Sequence, residues 1–126
     1  MNEKALKREL YKILREINVN GDEYIFLRTK KDEFGEDTKG TEYITMVNGL
    51  YHISKGYATK SVSDGTVIHT KGEPMLLISF EQSEKLKNGD FFKWNQNKYV
   101  ITEKNDIQNY GIICNVSLEL MLDGNN

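Results

Sequence analysis

The stretch Phe91-Phe92-Lys93-Trp94-Asn95-Gln96-Asn97-Lys98-Tyr99-Val100-Ile101-Thr102 decides the fold class of this chain of 126 residues. Two runs of aromatic and β-branched residues, 91–94 and 98–102, flank a polar triplet. Runs of this composition separated by a short Asn-rich segment are typical of a β-hairpin. The stretch therefore predicts a hairpin whose aromatic side chains belong to the core.

Strand-like composition continues on both sides of this hairpin. The remaining predictions after residue 70 are a strand at 75–80, a helical turn or loop at 81–89, a loop at 105–111 and a closing strand at 112–121. In the closing strand Val116, Leu118 and Leu120 alternate, which predicts one buried face. Cys114 lies in the same apolar run and is predicted to pack as a small hydrophobic residue.

The N-terminal segment has a different period. Its apolar residues recur at helical spacing on an arc of about 100°, the width of one buried stripe. They are Leu6, Leu10, Ile13, Leu14 and Ile17. We therefore predict a helix over residues 3–17, ended by residues 18–22, in which Gly21 is able to take a positive φ.

Between the helix and the C-terminal strands, the sequence alternates apolar strands with turn signals. We predict a buried strand at 24–29, an exposed acidic loop at 30–42, and a hairpin of 43–47 with 50–53 around the turn Asn48-Gly49. A second hairpin joins 57–63 to 66–70 through Asp64-Gly65. The arms of this second hairpin are too polar for a core sheet, so we expect residues 50–74 to project from the body of the protein.

These elements predict a single domain over residues 1–126 that is mainly β. Its architecture is a small β-barrel or sandwich of short antiparallel strands, with one N-terminal helix and a long projecting hairpin. The net charge of -2 argues against a general electrostatic trap for nucleic acid. The single cysteine excludes an internal disulfide. The charged start lacks the apolar run of a signal peptide, and no window approaches a membrane span, so we expect no membrane partner.

No pattern of residues predicts catalysis, a cofactor or a metal. His52 and His69 are isolated, and two imidazoles would not complete a zinc shell even if the hairpin brought them together. The acidic run at 32–37 lacks the alternating ligands of a calcium loop. The aromatic residues at 91–99 could form a stacking platform for single-stranded nucleic acid, but the charges around them have both signs, so a core role is favoured. We therefore expect a protein that is not an enzyme.

The order of several short motifs resembles the head–tail stopper proteins (head-completion or connector proteins) of siphophages and prophages of Gram-positive bacteria. The motifs are 74–80 (PMLLISF), 86–90 (LKNGD), 98–102 (KYVIT), 106–109 (DIQN), 112–113 (II) and 116–119 (VSLE), preceded by 35–36 (GE), 49–52 (GLYH) and the polar hairpin around Asp64. In that family a "GD" turn leads through a "Y-x-V/I-T" strand and a "D-I" loop to a closing "V-S-L-E" strand. The resemblance covers about residues 24–122, and the N-terminal helix is matched less securely.

The resemblance implies a virion protein, assembled in the host bacterial cytoplasm. It would form a ring below the portal and adaptor rings, with a multiplicity that matches the portal's twelvefold symmetry. Its internal loop, carried here onto residues 50–74, would close the DNA channel. The implied channel-gating residues are Tyr57, Lys60, Ser61, Val62, Ser63, Asp64, Gly65 and Thr66. The implied partners are other copies of the chain, the adaptor or portal-side protein, the tail-completion protein, and packaged DNA within the channel. We expect the free protein to be a monomer.

Two alternatives stay open at this stage. The chain could be another head–tail or tail-completion adaptor component, with contacts on the faces of a ring. It could also be a small β-barrel binding module outside phages, for which nucleic acid is the first ligand to test.

Overall fold

The structure, a computed structural model, describes residues 2–54, 59–61, 67–69 and 72–122. The helices are α1 (Glu3–Asn20) and the short α2 (Phe80–Ser83), and a 3-10 turn spans Ile107–Asn109. The strands are β1 (Asp22–Lys31), β2 (Asp37–Ser54), β3 (Thr59–Ser61), β4 (Val67–His69), β5 (Glu73–Ser79), β6 (Phe91–Trp94), β7 (Asn97–Asp106) and β8 (Ile113–Leu122). The predicted mainly β fold with one N-terminal helix is confirmed.

Six of these strands form one antiparallel sheet that closes on itself in the order β1-β2-β5-β8-β7-β6. The sheet closes between β1 and β6 through a single pair of residues, Leu27 and Phe91. Strands β3 and β4 form a separate two-stranded sheet. The strands thus curl around a single interior and do not form two stacked sheets.

The interior of the closed sheet is filled by aromatic and branched side chains. Phe92 lies at its centre, with its ring stacked on Tyr99 at 5.0 Å and edge-on to Phe26 at 5.3 Å between centroids. Val116 and Leu118 of β8 are buried as predicted, whereas Leu120 is exposed. The predicted hairpin at 91–102 is present, with a turn at Asn95 and Gln96.

The helix α1 forms a second apolar cluster against the sheet. Its buried residues Leu10 and Ile17 pack with Ile112 and Ile113, and Leu50 and Leu77 join them. Alternation along β5 places Leu76 and Ile78 in the interior cluster and Leu77 in the helix cluster. The helix therefore covers part of the outer face of the sheet.

The helix is longer than predicted. It begins after Asn2, whose side chain accepts a hydrogen bond from the Ala5 N–H at 2.8 Å, and it runs to Asn20. Gly21 has a φ of -71° and does not use the positive φ that is accessible to glycine. The reason is that Gly21 leads directly into β1 in an extended conformation, without a left-handed cap.

Two predictions in the first half of the sheet are wrong. Residues 30–42 are exposed as expected, but they form the ends of β1 and β2 around a short turn and not a loop. Asn48-Gly49 is not a turn, because β2 runs through it without interruption. At that point Asn48 N–H donates to Gln82 Oε1 at 3.2 Å, and Gly49 lies against the core.

The close approach at Gly49 gives a stability prediction. A Cβ there would lie 2.8 Å from Leu76 Cδ1 and 3.0 Å from Ile78 Cγ2, and both of those side chains are fully buried. We expect Gly49→Ala to lower the free energy of unfolding by about 1–3 kcal/mol through overpacking. Urea denaturation followed by circular dichroism measures the change.

The matched control is Gly40→Ala in the same strand. A Cβ at Gly40 would meet nothing closer than the flexible Lys30 side chain at 3.4 Å. We expect its effect to stay within about 0.5 kcal/mol. Equal effects of the two substitutions would show that Gly49 is not packed against the core in this way.

Candidate functional site

The resemblance assigns channel gating to residues 50–74, which were expected to project. The ends of this range, 50–54 and 73–74, instead pair within the closed sheet, and the chain leaves the sheet between Ser54 and Glu73. Strands β2 and β5 pair from Gly49–Ile78 to Ser54–Glu73. Beyond them β3 pairs with β4 through Thr59–His69, Lys60–Ile68 and Ser61–Val67. Strands β3 and β4 pair as arms of the predicted polar hairpin and form their own sheet. Their register differs by one residue from the prediction, because Ser61 lies opposite Val67, whereas a two-residue turn at Asp64-Gly65 would place it opposite Ile68.

The gating residues are only partly covered by the structure. Lys60 and Ser61 lie in β3. The others, Tyr57, Val62, Ser63, Asp64, Gly65 and Thr66, lie outside the described residues.

The root of this segment is held tightly. A Cβ at Gly72 would lie 2.3 Å from the carbonyl oxygen of Ser54 and 2.5 Å from Ile53 Cγ2. Only glycine allows the returning chain to approach β2 so closely. The chain therefore leaves and re-enters the closed sheet at one fixed place.

A buried ion pair secures another part of the closed sheet, at the Gly89-Asp90 turn. Asp90 is 1% exposed and accepts hydrogen bonds from Arg28 Nε at 2.7 Å and Arg28 Nη2 at 2.9 Å. Asp90 Oδ2, which accepts the Arg28 Nη2 hydrogen bond, also accepts one from the Lys87 N–H at 2.8 Å. The hydrogen bond to Asp90 is the main cause that raises the pKa of Arg28 above its ordinary value. The "GD" motif thus ties the loop before β6 to strand β1.

A lysine holds the other side of the same loop. Lys104 Nζ donates to the carbonyl oxygens of Ser83 at 3.0 Å and Leu86 at 2.6 Å. Backbone bonds from Gly89 to Ile101 and from Ile101 to Asp90 add to this attachment. The charged groups here are used to hold the loop in place, which is a structural role.

An aromatic groove lies where β1 and β6 diverge from their single pair. It has a volume of about 660 Å³ and is lined by residues of β1, β2 and β6. These residues are 22–25 of β1, 49–51 of β2 and 92–94 of β6. Phe91, Phe92 and Tyr99 are buried as predicted, but Trp94 is 48% exposed. Two carboxylates at the rim disfavour binding of a phosphate backbone.

The described residues offer no constellation for metal binding. Among them, no three His, Cys, Asp or Glu side chains lie close enough together to hold an ion. His52 is paired with Met75 in the closed sheet, whereas His69 lies in β4, so the two positions belong to separate sheets. In the described part of the chain, no residue hydrogen-bonds the buried His52 Nδ1.

Cys114 is buried in β8 at 2% exposure. Burial is the main cause that raises the pKa of the Cys114 thiol. Cys114 is packed in the core as a small hydrophobic residue, as predicted, and because a thiol reacts as the thiolate, this environment slows its reactions.

We expect an aromatic disulfide reagent to modify Cys114 at least about a thousandfold more slowly in the native protein than in urea, because exposure requires an opening of about 5 kcal/mol. A Val19→Cys variant provides the control, since Val19 is 78% exposed on α1. Absorbance of the released thiol measures both rates. Fast native modification of Cys114 would contradict its buried placement.

Sequence reasoning missed two features of the surface. One is the partner of Asp90, because nothing in the spacing of Arg28 and Asp90 signals a contact. The other is the turn between β1 and β2, where Phe34 is 82% exposed among carboxylates. The acidic composition of residues 30–42 indicated exposure but not a rigid hairpin.

None of the helices in the described residues is both long and apolar enough for a membrane span. A scan against models of known protein families matches none of them, and a search of curated proteins finds no significant match.

Proposed function

We propose that the chain is a structural protein of the phage head–tail joint, a head-completion stopper. In this proposal copies form a ring below the portal and adaptor, and the part of residues 50–74 that lies beyond the closed sheet, between Ser54 and Glu73, closes the DNA channel. One observation carries the proposal. The strands β2 and β5 leave a closed sheet at Ser54–Glu73, and the chain beyond them pairs as a separate hairpin, β3 with β4.

The physics of a lone hairpin supports a role for neighbouring copies. A two-stranded sheet is marginal in water, because it buries little apolar surface and leaves both edges unpaired. Hairpins from neighbouring subunits could pair through those edges and close an opening without chemistry. An arm of about eleven residues reaches roughly 35 Å at the rise of a β-strand, enough to extend from a ring wall toward its axis.

The charges of the segment are compatible with a plug. Lys55, Lys60 and Lys71 stand against Asp64 and Glu73, which leaves little net charge over residues 50–74. A strongly basic plug would hold phosphates and hinder the release of DNA. The proposed plug contacts packaged DNA only in the channel.

The rest of the described chain suits a wall that must stay rigid. The closed sheet, the covering helix and the Arg28–Asp90 pair fix the body from which the segment leaves. The proposed partners of this body are the adaptor or portal-side protein above it and the tail-completion protein below it.

The experiment is a deletion of the gene in the phage or prophage that encodes the chain. We expect tailless heads whose DNA is lost or sensitive to nuclease, and full particles when the gene is supplied from a plasmid. Mass spectrometry of purified virions should detect the protein. Its absence from virions, together with normal particles after deletion, would refute the proposal.

A binding module is the second candidate, and the aromatic groove with Tyr24, Tyr51 and Trp94 favours it. A gel shift with single-stranded DNA at moderate salt separates the two proposals. The stopper proposal predicts no appreciable affinity of the free subunit, whereas a nucleic-acid module would shift the probe and lose the shift on Trp94→Ala. An adaptor or tail-completion role is distinguished by deleting the segment at 55–72, because an adaptor would not need it to retain DNA.

A further inference from the structure

The outer surface of α1 carries a stripe of cations and apolar groups. At 100° per residue its five members fall within an arc of about 80°. They are Lys4, Arg8, Tyr11, Arg15 and Val19, which we call the stripe, and all are exposed. The arc faces away from the buried residues Leu10 and Ile17.

No carboxylate lies within the stripe. The three acids of the helix lie outside this arc and have partners there: Glu3 pairs with Lys7 at 3.1 Å, Glu9 pairs with Lys12 at 3.3 Å, and Glu16 accepts a hydrogen bond from Asn20 Nδ2 at 2.8 Å. Tyr11 and Val19 are 50% and 78% exposed, so the three cations surround uncovered apolar surface. A face of this kind is complementary to an acidic surface that also presents an apolar side chain.

The turn between β1 and β2 has that complementary chemistry. We call its residues, Asp32–Asp37 (DEFGED), the tip. It carries four carboxylates and no cation, and Phe34 at its centre is 82% exposed.

The tip is also preorganised. Asp32 Oδ1 accepts hydrogen bonds from the N–H groups of Phe34 and Glu36, each at 2.9 Å. Asp37 forms an ion pair with Lys31 across the base of the turn at 2.6 Å. A fixed turn that presents Phe34 loses little conformational freedom when it binds.

We propose that the tip of one copy binds the stripe of a second copy, with Phe34 against Tyr11 and Val19 and the carboxylates against Arg8 and Arg15. The two surfaces differ, so the contact is heterologous, and repeated contacts of this type make a ring or an open chain. Each exposed ion pair contributes little, which agrees with a monomer that assembles only at high local concentration. This inference rests on the self-association in the proposed function, but it does not depend on the channel-closing segment.

Disulfide trapping tests the contact in the full chain. The double variant Phe34→Cys with Tyr11→Cys should, under mild oxidation, give a ladder of dimers, trimers and larger species on a non-reducing gel. The control is Phe34→Cys with Glu119→Cys, which pairs the tip with an exposed residue of β8. A ladder of equal yield in the control, or no ladder in the test variant, would overturn the proposal.

A charge exchange supplies the independent arm. We expect at least a tenfold lower trapped yield from either of two double variants, Arg8→Glu with Arg15→Glu or Glu33→Lys with Glu36→Lys. Each variant replaces two attractive charge pairs between the copies with two repulsive ones, and about 1.4 kcal/mol of lost binding free energy corresponds to a tenfold change. Combining both exchanges in one chain should restore it. All four side chains are exposed, so unchanged melting curves check the fold.

The outcomes separate this proposal from the function. Failure of the combined exchange to restore the yield overturns the contact, and so does a loss of yield in the stripe variants without a loss in the tip variants. A trapped ladder from a chain that is absent from virions would leave the contact standing and refute the stopper role.

Discussion

Replacing Asp90 with asparagine is expected to lower the free energy of unfolding by about 3 kcal/mol, the lower end of the range for breaking a buried ion pair. Asp90 is 1% exposed, and its carboxylate receives both hydrogen bonds of the Arg28 fork. Asparagine keeps the shape but removes the charge, so it can accept from only one side of the fork. Because the Arg28 side chain is 29% exposed, water can partly solvate its charge in the variant, and the expected loss lies at the lower end of the range. Urea denaturation measures the change.

The matched control is Asp37→Asn, which removes the carboxylate of an equally short ion pair. Its distance to Lys31 is 2.6 Å, but the two side chains are 69% and 63% exposed. Water and salt screen such a pair, so the expected loss is below about 1 kcal/mol. If both substitutions cost the same small amount, the Gly89-Asp90 turn does not secure the closed sheet.

Replacing residues 55–72 with the dipeptide Asn-Gly is expected to leave a folded protein that enters particles but fails to retain DNA. Ser54 and Glu73 are paired neighbours in β2 and β5, and a two-residue primed turn can join them. The pairs of the closed sheet and its core are untouched, so stability should change by no more than about 1 kcal/mol. Nuclease protection of DNA in purified heads measures the functional loss, and thermal melting checks the fold.

A second variant tests whether the length of the segment or its paired strands close the channel. A Gly/Ser segment of the same length in place of residues 55–72 keeps the reach of the chain but cannot form paired strands reliably. If strands paired between subunits close the channel, both variants should lose DNA. An unfolded Asn-Gly variant would show that the segment stabilises its own subunit, and full heads from both variants would contradict channel closure.

The C-terminal half of the fold was accessible from the sequence because its signals are local. The hairpin at 91–102 has aromatic strands on both sides of a polar turn, and the structure places Asn95 and Gln96 at positive φ there. The 3.6-residue period of the first seventeen residues likewise predicted α1, although its end came three residues later, at Asn20. Patterns of a few residues were sufficient for these elements.

The first half of the sheet was less accessible because tertiary packing overrides turn signals. Asn48-Gly49 has the composition of a primed turn, yet Gly49 is needed where β2 crosses Leu76 and Ile78. The polar residues 30–42 read as a loop because both faces of this part of the ribbon are in solvent. Strand pairing there comes from backbone bonds, which composition does not reveal.

The candidate site was predictable only in outline. Polar arms around a turn signal predicted that β3 and β4 would pair, but the register differs by one residue from that of the predicted two-residue turn. The contact of Arg28 with Asp90 spans sixty-two positions, a separation at which no spacing rule operates. The exposed position of Phe34 likewise appears only once the turn between β1 and β2 is seen.

The most direct test of the account is a cryo-electron microscopy map of the head–tail joint in DNA-filled heads that lack tails. We expect a ring of this chain below the adaptor, with density for residues 55–72 from neighbouring copies meeting across the channel axis. A ring with an open channel at that level, with these residues lying against the outer wall, would contradict channel closure. A joint without this chain would contradict the whole proposal.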